Sequence, residues 1–225
     1  MSELQRNIDE LMRRLDRMGL RVQQAVLDAF EALATRDINA GQRVSELDNI
    51  VDAEEVAVEK ECVKLLALYQ PAAVDLRSLC FVIKANNDLE RIADKAASIG
   101  RRIRHVVTEG VHPVEYTEWP DFVRLVSERL DNTLRAISSR DLEAAHDLIA
   151  TDADVEDLYS RLARHIIARA REAPDGVDIA LTLTLLVRAA HRISELCTNI
   201  AEDIIFACTG DIVRHSDIKP DRQVR

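Results

Sequence analysis

Apolar side chains recur three and four positions apart over most of this chain. Leu4, Ile8, Leu11, Leu15, Met18, Val22, Val26, Phe30 and Leu33 form one unbroken series. That spacing predicts a single amphipathic helix of about nine turns. Ser45 to Tyr69 reads as part of a second long helix, stopped before Gln70-Pro71. Pro71 then suits the first turn of a third helix running to about Val107. Thr108 to Pro120, with Gly110, Pro113 and Pro120, is the clearest interruption. Beyond it the pattern restarts. Phe122, Val126, Leu130, Leu134 and Ile137 predict a fourth helix, and Leu142 to Arg171 a fifth. After a break at Glu172 to Val177, Asp178 to Thr209 predicts a sixth, with Gly210 as its C-terminal cap. The tail from Asp211 is short and polar and reads as loose.

The two halves also match in residues. Asn87 to Ile99 aligns with Arg188 to Ile200, so that Arg91, Ile92 and Ile99 pair with Arg192, Ile193 and Ile200. Upstream, Asp48 and Asp52 pair with Asp152 and Glu156. Several pairs at nearly one offset, at the same place within each three-helix unit, indicate an internal duplication. The expected fold is all-α: two tandem three-helix bundles, over residues 1–108 and 121–210, joined by a linker at 109–120 and followed by a tail at 211–225.

Composition narrows the classes. Aromatic residues are 4% of the chain, with 6 glycines and 5 prolines, too few for the turns that sandwiches and barrels need. No apolar run approaches the ~18 residues of a membrane span, and residues 1–15 carry no apolar leader core, so a cytoplasmic protein is expected. Cys62, Cys80, Cys197 and Cys208 are far apart among apolar helical residues and read as reduced core thiols. A net charge of -10 argues against a nucleic-acid partner and suits a basic protein or bound cations.

Candidate chemistry centres on carboxylates. Asp48/Asp52, Glu90/Asp94 and Asp152/Glu156 are acidic pairs four apart, which a helix places on one face where a hard cation can be gripped. Spacing alone is weak, because 40 acidic residues in 225 give roughly seven such pairs by chance. Location is the better argument. Glu90 and Asp94 continue the stripe of Leu76, Leu79, Cys80 and Ile83, and Asp48, Asp52, Glu55 and Glu59 border that of Val44, Val51 and Val58. Carboxylates beside a core-facing stripe need a partner or a metal, and the bland partners here are Arg91 and Arg101. His191 offers a ligand or base, although a lone helical histidine is more often simply solvated. The chain has no phosphate-binding glycine loop and no H-E-x-x-H, so an enzyme reading finds no catalytic set to name.

Gln70-Pro-Ala-Ala-Val-Asp-Leu-Arg77, then Asn87-Asp-Leu-Glu-Arg-Ile-Ala-Asp94, with Asp48 and Asp52 on the preceding helix, resembles the PhoU family. The resemblance runs from the first helix to Gly210 and includes the duplication. It implies a cytoplasmic dimer, reaching the membrane only through partners, that negatively regulates phosphate homeostasis. Its partners would be a phosphate ABC transporter and a PhoR-type sensor kinase, or alternatively a low-affinity phosphate permease or sodium–phosphate carrier. It also implies metal ions (iron, zinc, manganese or magnesium) at Asp48, Asp52, Glu90 and Asp94 in the first repeat. Asp152, Glu156, His191 and Glu195 are the second-repeat counterparts. There His191 and Glu195 replace the usual Glu and Asp, so the first repeat is expected to bind more tightly.

Overall fold

The computed structural model describes residues 2–110, 113–172 and 176–213. It is all-α among those residues: α1 (Glu3–Thr35), α2 (Ile38–Tyr69), α3 (Ala73–Thr108), a 3-10 turn (Pro113–Glu115), α4 (Trp119–Ser139), α5 (Leu142–Ala150), α6 (Asp152–Glu172) and α7 (Gly176–Thr209). No helix among the described residues is long and apolar enough to cross a membrane. From residue 214 onward, the tail expected to be loose lies outside the described residues.

The duplication is visible in the connections. α1 ends with Arg36 in the left-handed conformation (φ 62°), and the next residue, Asp37, caps α2 by accepting from Asn39 N–H and Ala40 N–H. α4 ends with Arg140 (φ 51°), and Asp141 caps α5 by accepting from Glu143 N–H and Ala144 N–H. A carboxylate in this position satisfies amide donors that a helix start otherwise leaves open. The two Arg-Asp hairpins fix a residue-for-residue register, and burial obeys it. Leu15, Met18, Val22, Ala25, Val26, Ala29, Ala32 and Leu33 are buried in α1. The same positions of α4, Trp119, Phe122, Val126, Arg129, Leu130, Thr133, Ala136 and Ile137, are buried too. The one charged residue in either series is Arg129.

The repeats share one core. α3 packs along α7 and α1 along α4, and the buried residues of all four belong to a single apolar cluster. Lys84 of α3 also pairs with the buried Asp203 of α7. Within the first repeat, α2 and α3 meet backbone to backbone. A Cβ on Gly100 would lie 2.4 Å from the Gly41 carbonyl oxygen. Ala145 and Ala201 stand at the matching, buried positions of the second repeat.

Three expectations need correction. The fifth helix is not continuous from Leu142 to Arg171: Thr151 leaves the helical conformation (ψ 7°) and separates α5 from α6. At this break the Thr151 hydroxyl accepts from the Arg129 guanidinium of α4 at 2.9 Å and donates to the Asp147 carbonyl at 2.9 Å. Pro71 is not in the first turn of α3, which begins at Ala73. Gln70 closes α2 in the left-handed region (φ 43°) and Pro71 crosses the turn. Pro120, placed in the interruption, stands near the start of α4, where a missing N–H costs nothing. Gly210 does close α7, with φ +89° and its N–H on the Phe206 carbonyl at 2.9 Å.

Candidate metal centres

In the first repeat, α2 supplies Asp48, Asp52 and Glu55, and α3 supplies Glu90 and Asp94. The Asp48 side chain is 19% exposed, and its Oδ1 is buried without a hydrogen-bond donor. Burial pushes its carboxyl above the usual carboxylate range, and the charges of Asp52 and Asp94 push it further. Glu90 rises for the same reasons: burial first, then Asp52, Asp94, Asp48 and Glu55. Glu55 rises through burial and the charges of Glu59 and Asp52, which makes it a fifth member of the group. Asp94 differs. Burial pushes it up, but Lys95 at 2.6 Å and Arg101 at 3.4 Å prevail and hold it low. Arg101 stands 3.8 Å from Asp48, whereas Arg91 turns away to Asp88.

Asp48, Glu55 and Glu90, raised by burial and by the carboxylates around them, lack counter-charge even with two cations at the group's edge. As the side chains stand, no three ligating groups among the described residues close on a single ion. The fit is therefore one of donor type and charge. Hard carboxylate oxygens repel each other across two adjacent helices, one of them without a donor, and a divalent cation would draw them together.

The second repeat is wired differently. Arg129, almost wholly buried, donates to Thr151 Oγ1 (2.9 Å), Asp152 Oδ1 (3.2 Å) and Thr198 Oγ1 (2.8 Å), and Thr198 in turn donates to Asp152 Oδ1 at 2.8 Å. His191 is buried rather than solvated, stacked on Tyr159 with ring centres 4.2 Å apart. Arg188 donates to its Nδ1 at 2.8 Å, which leaves Nε2–H to face Glu156 at 3.0 Å. Burial holds the imidazole below its ordinary pKa, against the pull of Glu195 and Glu156. Glu195 is pushed up by burial, but Arg192 (2.9 Å), His191 and Arg188 (3.3 Å) bring it below the usual range. Asp152 and Glu195 thus meet three guanidiniums, Glu156 meets the imidazole N–H, and the ring's lone pair is already taken. This donor set does not fit a metal ion.

The structure therefore brings together all eight sequence-predicted residues, four in each repeat, but gives the two groups opposite electrostatic characters. Sequence reasoning missed Arg129, Thr198 and Tyr159. A visible signal for Arg129 was a charged residue falling within an apolar helical series.

A duplicated unit of long antiparallel helices, with acidic side chains at corresponding positions of the second and third helix, defines a class of helical-bundle protein. A family model described as the PhoU domain matches residues 15–103 and 121–204. The chain is 32% identical to a phosphate-specific transport system accessory protein PhoU homolog of Pseudomonas aeruginosa, over 92% of this chain and 86% of that one. It is 30% identical to the corresponding homolog of Aquifex aeolicus, over 96% and 98%. The crystal structure of PhoU from Pseudomonas aeruginosa superposes with a TM-score of 0.88 at 30% identity, covering 93% of this chain and 100% of that one. The PhoU structure from Streptococcus pneumoniae shares the fold, with a TM-score of 0.85 at 22% identity. The chain belongs to the PhoU family.

Proposed function

We propose that this protein is a cytoplasmic accessory regulator of phosphate transport, without catalytic activity of its own. It restrains uptake and starvation signalling when phosphate is plentiful, by docking on a phosphate ABC transporter and a PhoR-type sensor kinase. The observation that supports this most is similarity over almost the whole chain, both repeats included, to proteins named as accessory to phosphate-specific transport. The deletion strain, grown with ample phosphate, should take up more labelled phosphate and express starvation genes. The intact chain supplied on a plasmid should reverse both. Unchanged uptake and reporter expression in a strain with no second copy would refute the reading.

Within this function, Asp48, Asp52, Glu90 and Asp94 of the first repeat, with Glu55 beside them, hold a divalent or trivalent ion of iron, zinc, manganese or magnesium. The ion supplies counter-charge that fixes α2 against α3, and the carboxylates bind and orient it. The protein acts as a dimer. Exposed apolar side chains on the outer faces, Leu20, Ile50, Val63 and Leu68 among them, are the surface such pairing covers, and light scattering should return twice the 25.3 kDa of one chain.

A further inference from the structure

The hairpin register, with the pairing of residues 87–99 to 188–200, allows the two acidic groups to be compared residue for residue. Asp152 corresponds to Asp48. Around Asp152 stand Arg129, Thr151 and Thr198, all hydrogen-bonded to it or to one another. The corresponding residues around Asp48 are Ala25, Leu47 and Ala97, none of which has a polar side chain. Ala25 and Ala97 are buried, 3% and 1% exposed, and the cation nearest Asp48 is the half-exposed Arg101, 3.8 Å from its other oxygen, Oδ2. The consequence is visible in the aspartates themselves. Asp152 Oδ1 accepts two hydrogen bonds, while Asp48 Oδ1 is buried and accepts none.

We propose that the Arg129 guanidinium is a built-in counter-cation. It takes in the second repeat the role that a metal ion takes in the first, so this chain carries its metal in the first repeat alone. Delocalised over a planar fork with five N–H donors, a guanidinium can neutralise an aspartate and satisfy two hydroxyls at once. It never dissociates, so the second repeat keeps one arrangement whatever the metal supply. The first repeat answers to that supply. Two further exchanges point the same way: Glu55 and Glu90 of the first repeat correspond to Tyr159 and His191, whose stacked rings replace a repelling pair of carboxylates. The inference rests on the metal reading of the first repeat, and the test separates the two.

The full chain, stripped with chelator, is dialysed against manganese(II) alone, and bound metal per chain is measured by mass spectrometry for the parent and for variants. Glu90→Gln is expected to lower affinity at least tenfold, and Glu156→Gln to leave it within twofold of the parent. Arg129→Met is expected to acquire a second, weaker equivalent, lost again when Glu156→Gln is added, and to gain thermal stability from manganese beyond the parent's gain. Loss of the parent's metal on Glu156→Gln overturns the inference, as does a folded Arg129→Met chain that gains none. If Arg129→Met does not fold, the Glu156→Gln result decides alone. A parent that binds no manganese beside an Arg129→Met chain that binds one refutes the first-repeat reading and leaves the role of Arg129 standing.

Discussion

Gly100→Ala tests whether the close contact of α2 and α3 holds the first repeat in shape. Two effects oppose each other. Alanine favours a helix over glycine by about 1 kcal/mol, which would stabilise α3. The added Cβ, however, meets the Gly41 carbonyl oxygen at 2.4 Å, whereas ordinary contact begins at 3.4 Å. Because that oxygen is backbone, the helices must part by about 1 Å. A gap of this size forfeits a quarter to a half of the dispersion energy of each atom pair it opens, and overpacking of this kind costs about 1–3 kcal/mol. Clash prevails over propensity because the parting also loosens Val44 and Ile103, both buried beside the contact. The net loss should be about 2 kcal/mol, a fall in Tm of roughly 4–8 °C for a chain of this length. Thermal and urea unfolding followed by circular dichroism measure it. A Tm equal to or above the parent's would show that the helices yield freely and that the contact is not a constraint.

Asp48→Asn should stabilise the metal-free protein at pH 7, since it removes a buried charge that its neighbours repel. A carboxyl whose folded pKa is raised costs stability wherever it is ionised, and the cost vanishes as pH falls through that raised value. The advantage of the variant should therefore shrink between neutral pH and the ordinary carboxylate range, and denaturation in chelator at stepped pH would count against it if the gap widened. Asp37→Ala and Asp141→Ala each remove a side chain that accepts from two helix-start amides, and each should cost about 1 kcal/mol in urea titrations.

Features set by local spacing were legible in the chain; those set by a contact between distant residues were not. The apolar series of α1 and α4, the duplication and the Gly210 cap follow from residues close together in sequence, and all are present. The break at Thr151 sits where its hydroxyl meets a guanidinium 22 positions upstream, a contact that no helical periodicity around Thr151 contains. The acidic groups were legible for the same reason as the helices, because four-residue spacing fixes a face. Their charge balance was not, since it depends on which arginines fold back: Arg101 reaches Asp94 and Asp48, Arg91 turns to Asp88, and Arg188 and Arg192 converge on Glu195. His191 was misjudged because a lone polar residue on a helix gives no sign of an aromatic ring, Tyr159, waiting on the next helix.

The Arg-Asp hairpin is also a ruler laid along each half of the chain. Counted back from the capping aspartate, Arg129 and Ala25 fall at the same place, twelve positions before Asp141 and Asp37. In this chain the second half carries a positive charge at that place on its own helix, and the first half carries a methyl group there. The electrostatic difference between the halves is thus written at one position of the letters, twelve before each capping aspartate.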